Sequence, residues 1–278
     1  MYGAIIGDIA GSIYEYPEFR DKLKGNINIE RRLEILNKNN LINDSCFYSD
    51  DTILTIAILD SIINNASYEE KLREYGLKYG TVKLNKDNYF NNMFSPGFIK
   101  WCKGNCVGTS YGNGAIMRVS PVGYLFNSLE EVKENSKLAT YPSHNNELAI
   151  KAAEIVAVVI FLARNGYTKK ELLKYLKLVY HMELNYNLEI LQRTNTFDGT
   201  CNVLEKCLFL LLNSDDFDSA IKNTISIGGD TDTMACIVGS MAEAMYGGVN
   251  KYKEEINKII PVEFKQSLDQ GYKRILSK

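Results

Sequence analysis

Histidine is nearly missing from this 278-residue chain, which has only His144 and His181. That scarcity argues against a zinc centre built on imidazole, and it leaves oxygen ligands, suited to Mg²⁺ or Mn²⁺, for any metal site. Proline is scarce too, at five residues, and so is tryptophan, at one. None of the six cysteines (Cys46, Cys102, Cys106, Cys201, Cys207 and Cys236) falls in a Cys-x-x-Cys pair. They read as free thiols of a reducing compartment, not as a metal or disulfide framework. Charge of one sign is lacking: 32 basic against 34 acidic residues leave a net −2, which excludes a general affinity for nucleic acid or acidic lipid. The longest apolar run, Ile155 to Ala163, is too short to span a bilayer. The first residues carry an acid, Asp8, and no basic segment, so neither a signal peptide nor a membrane association is expected, and the expected location is cytoplasmic.

Sustained period-2 alternation, internal repeats and linker-like composition are likewise missing. What is present is helical periodicity. Met234, Ile237, Val238, Met241, Ala242 and Met245 lie on one stripe of a helix that Gly247 and Gly248 terminate. The run from Ile53 to Ile63 is apolar nearly all round, the signature of a buried helix. Gly3, Gly7 and Gly11 recur every fourth residue along 3–15, a ridge that another helix can approach closely. Further helices are expected over 67–80, 98–101, 145–163, 168–180, 202–212 and 264–276, with a polar surface excursion over 16–45 around a short amphipathic piece at 30–38 and loop-like character at 84–95. The chain is therefore expected to form a single all-α domain over 1–278, an ordinary globular protein with 45% hydrophobic residues.

Two clusters of carboxylates and hydroxyls open the two most apolar helices. Ser49, Asp50, Asp51 and Thr52 precede Ile53; Gly228, Gly229, Asp230, Thr231, Asp232 and Thr233 precede Met234. Each alone reads as a capped helix N-terminus, where Asp and Thr satisfy free amides and offset the helix dipole. Two such Asp pairs, each at the start of a core helix, fit a dinuclear site of hard oxygen ligands better than two coincidental caps. In the N-terminal helix Asp8 and Glu15 are acids in apolar company, and each taken singly reads as a surface or cap residue.

Between the clusters, Gly108 to Gly114 forms a glycine-rich loop through Ser110, Tyr111, Gly112 and Asn113. Its backbone amides could approach phosphate oxygens, or it could be a plain turn. Tyr111 could stack on a base or ribose, or cover the core. His144, ahead of a long Ala- and Val-rich helix, could donate to a phosphate or sugar oxygen, or serve as a cap or packing residue.

Taken together, Gly-Asp-Ile-Ala-Gly-Ser-Ile-Tyr-Glu (7–15), Ser-Asp-Asp-Thr (49–52), Ser-Tyr-Gly-Asn-Gly-Ala-Ile-Met-Arg (110–118), Ser-His (143–144) and Gly-Gly-Asp-Thr-Asp-Thr (228–233) resemble the ADP-ribosylglycohydrolase family. The pieces occur in family order and cover nearly the whole chain. The resemblance implies an all-α orthogonal bundle holding two Mg²⁺ or Mn²⁺ ions. It implies Ser49, Asp50, Asp51, Asp230, Asp232 and Thr233 as ligands, with Ser49 standing where the family usually has Thr and keeping the hydroxyl. Asp51 or Asp232 would orient or deprotonate a water, and Glu15 would hold a water or the ribose. Ser110, Tyr111, Gly112, Asn113, Gly114 and His144 would cradle the diphosphate and adenosine side. The form of the loop and the position of Glu15 look closer to the branch acting on O-linked ADP-ribose.

The implied reaction is hydrolysis of the glycosidic bond at C1″ of ADP-ribose carried by a protein side chain or a small molecule. Nucleic acid would be a partner only if itself ADP-ribosylated, and the expected state is a monomer. Two other classes use some of the same residues. One is an inactive ADP-ribose-binding or crystallin-like relative, which loss of an Asp cluster would signal. The other is an Mg²⁺-dependent phosphohydrolase, which would release phosphate instead of intact ADP-ribose.

Overall fold

The computed structural model describes residues 1–15, 34, 36–38, 40–80, 93–104 and 106–277. The surface excursion expected over 16–45, with its amphipathic piece at 30–38, and the loop expected over 84–95 lie mostly outside the described residues. The described residues are helical in the main and contain no β-strand, only the isolated bridges Thr109 to His144 and Gly112 to Thr200. The chain is all-α, as its periodicity indicated.

The first helix, α1 (Tyr2–Ser12), runs into a 3₁₀ turn at Ile13–Glu15. After it come α2 (Asp50–Asn64), α3 (Tyr68–Tyr79), α4 (Pro96–Lys103), α5 (Ser120–Leu125), α6 (Leu129–Thr140) and α7 (Glu147–Arg164). The second half holds α8 (Lys169–Tyr180), α9 (Leu188–Thr194), α10 (Val203–Leu212), α11 (Phe217–Ile227) and α12 (Thr231–Tyr246), with α13 (Lys253–Ile259) and α14 (Val262–Leu276) closing the chain. Side-chain caps set most starts. Ser128 with Glu131, Thr168 with Glu171, and Asp216 with Ser219 form reciprocal capping boxes at α6, α8 and α11.

Helix α12 is the centre, packed against α1, α7, α10 and α11. Every residue from Thr231 to Ala242 is buried, so the stripe seen in the sequence understates it: the first three turns are enclosed on all sides. Its closest neighbour is α1. A Cβ on Gly3, Gly7 or Gly11 would fall onto the backbone of Gly239, Ala235 or Thr231, respectively. The glycine ridge thus lets two helices meet backbone to backbone. Helix α2 lies beside α1 and is enclosed further by α3, α5 and α14, which explains why it is apolar all round. The apolar run Ile155–Ala163 sits inside α7 and is largely buried against the same core, and no helix among the described residues is long and apolar enough to cross a membrane.

This packing puts the N-termini of α1's neighbours, α2 and α12, together. The two Asp clusters ride on those ends.

Candidate active site

At α2, Ser49 is the N-cap: its Oγ accepts from the Asp51 amide at 3.2 Å. The same hydroxyl donates to Asp51 Oδ2 at 3.1 Å, and that oxygen also accepts from Thr233 Oγ1 at 3.1 Å. One buried carboxylate therefore ties the N-terminus of α2 to that of α12, across 182 residues of sequence. At α12, Asp230 occupies the N-cap position but makes no side-chain cap bond. It accepts instead from Asn113 Nδ2 at 2.7 Å, while the same amide group donates to the Asp198 carbonyl at 3.1 Å. A simple capping role accounts for Ser49 but not for Asp230. Asp232 accepts from the Thr233 amide at 2.7 Å, and Gly229, at φ +89° and pressed against Asn195 and Thr196, admits only glycine at the turn that presents Asp230.

Asp8 joins this group. It is 0% exposed, and its Oδ2 accepts from the Ser49 amide at 2.9 Å, the Thr52 amide at 3.1 Å and Thr52 Oγ1 at 2.5 Å. It caps α2 from a different helix. One carboxylate oxygen each from Asp8, Asp51 and Asp232 lies within 4.8 Å of the others. Asp8 Oδ1 and Asp51 Oδ1 are both buried and have no hydrogen-bond partner among the described residues. Burial raises the carboxyl of Asp51 well above its ordinary range, and the neighbouring charges of Asp8, Asp50 and Asp230 add to that. Burial likewise raises Asp8, against the pull of its hydrogen bonds from Ser49 and Thr52. Buried acceptor-only oxygens without donors are costly in a folded protein. A divalent cation would satisfy them, and an all-oxygen donor set suits Mg²⁺ or Mn²⁺.

This group adjoins a cavity of about 750 Å³, whose lining includes Asp232 but neither Asp8 nor Asp51. Asp50, Asp230, Asp232 and Thr233 line it, and so do Ser110, Gly112, Asn113, Gly114 and His144. The glycine loop is clamped by its own amides: Gly108 N donates to the Pro142 carbonyl, Ser110 N to that of Ser143 and Asn113 N to that of Gly199. Three of the amides expected to face a ligand are thus engaged with protein, and Asn113 instead links the loop to Asp230. Tyr111 is 60% exposed and outside the lining. His144 is buried, with Nδ1 2.8 Å from Ser143 Oγ. It is not a cap, because Asn146 caps α7. The backbone of Glu15 ends the 3₁₀ turn, and its side chain lies outside the described residues.

Several residues of the site carry no signal in the motifs. Phe94, Trp101 and Phe197 give the cavity aromatic walls, and Gly199 lines it next to Asp198, whose carbonyl accepts from Asn113. Asp8 is legible only as an acid in an apolar helix. Arg118 ends the glycine-loop motif, yet nothing in the sequence says that it is buried and donates to Ser143, next to His144.

The whole chain has recognisable relatives. It is 24% identical over 315 residues to the human ADP-ribosylhydrolase ARH3, covering 89% of this chain and 84% of that protein. It is 22% identical over 295 residues to the ADP-ribosylarginine hydrolase Tri1 of Pseudomonas putida (strain GB-1), covering 97% of this chain and 76% of that one. Among solved structures, an ADP-ribosylglycohydrolase-related protein complex contains a chain that superposes with a TM-score of 0.63 at 17% identity, covering 99% of this chain and 95% of that one. The family model for ADP-ribosylglycohydrolase matches residues 1–270. With that span matched from the glycine ridge to the last helix, the chain belongs to the ADP-ribosylglycohydrolase family.

Proposed function

We propose that this protein hydrolyses the glycosidic bond at C1″ of ADP-ribose attached to a side chain or another acceptor, and that residues 1–278 act as one all-α domain. The observation that carries the reading is the joining of two Asp clusters by Asp51, which accepts from Ser49 and Thr233, two residues that line a cavity of about 750 Å³, a size that suits a small ligand.

In this reading Ser49, Asp50, Asp51, Asp230, Asp232 and Thr233 would hold two Mg²⁺ or Mn²⁺ ions, with the buried Asp8 carboxylate beside them as a further oxygen donor. Bound divalent cations supply Lewis-acid stabilisation and make a coordinated water acidic. Asp51 or Asp232 orients the attacking water toward C1″ and takes its proton. As the leaving group departs, positive charge grows on the ribose ring, and the carboxylates of both helix ends stabilise it in a water-poor site. Asn113 fixes the loop against Asp230, so ligand and carboxylates are positioned by one side chain. Phe94, Trp101 and Phe197 give faces against which the adenine can pack. The reaction takes place on ADP-ribosylated protein or small molecules, and ADP-ribose is released.

A panel of Arg-, Ser- and nucleobase-linked ADP-ribose substrates, with products read by mass, tests this. Intact ADP-ribose is expected from at least one, and Asp51→Asn or Asp232→Asn should remove it. Release of phosphate or AMP in its place would assign a phosphohydrolase. No product from any substrate in Mg²⁺ or Mn²⁺ would leave a binding protein.

A further inference from the structure

Arg118 is 1% exposed, lines the cavity and has no carboxylate partner among the described residues. Its Nη2 donates to Ser143 Oγ at 2.6 Å and to the Ala139 carbonyl at 3.2 Å, while Nε and Nη1 are buried without partners. An arginine retained for stability alone would use its donors, since unpaired ones are costly when buried. What Arg118 does achieve is to fix the direction of a hydrogen bond one step further on.

A guanidinium can only donate, so Ser143 Oγ accepts from Arg118. Ser143 is buried, and its hydroxyl proton needs an acceptor of its own. The acceptor in reach is His144 Nδ1, at 2.8 Å. Nδ1 must therefore be unprotonated, and the proton of a neutral ring sits on Nε2. An imidazolium would place a second donor against Ser143, strand the hydroxyl proton and stand close to the Arg118 charge. Burial disfavours the charged ring, and the Arg118 charge works in the same direction. The other side of the ring faces Gly114, where an added Cβ would meet Cε1 and Nε2 at 3.2 and 3.3 Å. Nε2 has no protein partner among the described residues, and both residues line the cavity.

We infer that Arg118 and Ser143 are a positioning pair that locks His144 as a neutral Nε2–H donor, so that the cavity recognises an acceptor oxygen there by hydrogen bonding and not by charge. The ligand class rests on the proposed function: an oxygen of the diphosphate or a ribose of ADP-ribose. Recognition of this kind should not change between about pH 5 and 8, the range over which an ordinary histidine would change charge.

The test is ¹⁵N-histidine NMR of the full chain, with His144 assigned through His181→Asn, which removes the only other histidine. In the wild type, Nδ1 is expected in the pyridine-like range and Nε2 in the pyrrole-like range, unmoved from about pH 5 to 8. Arg118→Met frees the Ser143 hydroxyl to turn and removes the charge, so His144 should protonate or mix tautomers as the pH falls, and Arg118→Lys should restore the wild-type pattern. Ser143→Ala, which removes one oxygen, serves where the Met variant does not fold; there Nδ1 should lose its hydrogen-bonded shift. Calorimetry with ADP-ribose should show about a tenfold loss in Arg118→Met at the acid end, the value of one hydrogen bond, and little pH dependence in the wild type. A wild-type ring protonated on Nδ1, or spectra that ignore both Arg118→Met and Ser143→Ala, would overturn the relay. The expected spectra with no ADP-ribose binding would leave the relay standing and remove the functional reading instead.

Discussion

Replacing Asp51 by Asn should stabilise the cation-free protein and abolish its response to cations. The carboxylate oxygens of Asp8, Asp51 and Asp232 lie within 4.8 Å of one another. Two full charges at that separation repel by about 3.5 kcal/mol at an effective dielectric near 20. Three such pairs would approach the whole stability of a typical domain, about 5–15 kcal/mol. Burial raises the Asp51 and Asp8 carboxyls, helped at Asp51 by the neighbouring charges, which removes part of that repulsion, and what survives at neutral pH is a net destabilisation. Asn keeps the volume and one acceptor for Ser49 or Thr233 while deleting the charge. A gain of about 1–2 kcal/mol is expected, or about 2–6 °C in melting temperature for a chain of this size. In the wild type, Mg²⁺ or Mn²⁺ at a hundredfold excess over its dissociation constant should add about 2.7 kcal/mol, whereas Asp51→Asn should gain little. Differential scanning fluorimetry at constant ionic strength, with and without chelator, reads both effects. The reasoning fails if the wild-type melting curve ignores divalent cations, or if Asp51→Asn gains as much from them as the wild type does.

Asn113→Ala removes the 2.7 Å bond to Asp230, and Mn²⁺ affinity measured by electron paramagnetic resonance should fall by about tenfold or more, as for other supports of metal-binding carboxylates; an unchanged affinity would free Asp230 from the loop. Gly7→Val would drive a side chain into the Ala235 backbone, at a cost of about 3 kcal/mol or more, so a melting temperature within about 2 °C of wild type would show that the seam is not tight. Asp216→Ala removes the side-chain bond to the Ser219 amide at 2.7 Å and should cost about 1 kcal/mol at neutral pH. Because those hydrogen bonds depress the Asp216 carboxyl, its contribution is present above the unfolded value near about 3.9 and fades as the pH falls through the folded one; denaturant midpoints of the two proteins should converge in acid.

Much of this architecture can be read without coordinates, for specific reasons. Helices α2 and α12 are visible because burial on all sides leaves long apolar runs behind a capping residue. The glycine ridge is visible because close backbone approach tolerates nothing larger. Helix α6 hides, though Ser128 and Glu131 spell a capping box, because Leu129–Thr140 buries little more than Val132, Ser136, Ala139 and Thr140, too few apolar side chains for a stripe. Helix α11 hides behind the glycines that end it. In the site, the Asp pairs announce themselves as dense local clusters, whereas Asp8 takes its meaning from amides 41 and 44 positions away. Arg118 and Phe197 depend in the same way on partners brought by folding. Short-range chemistry is legible in the sequence; the surroundings that decide burial are not.

The glycine seam between α1 and α12 behaves as a ruler. Its marks are whole helical turns, Gly3 on Gly239, Gly7 on Ala235 and Gly11 on Thr231, so α1 cannot slide along α12 by a fraction of a turn. Because the contact is main chain on main chain, it involves no rotamers, and the spacing of Asp8 from Asp232 is set by peptide geometry instead of by side-chain choice. The walls of the cavity stand on other elements, with Trp101 on α4 and Phe197 in the segment before α10. Calibration of the carboxylates and the shape of the room in front of them are thereby separate variables. An engineer seeking a new acceptor specificity could recut the walls freely and leave the ruler untouched.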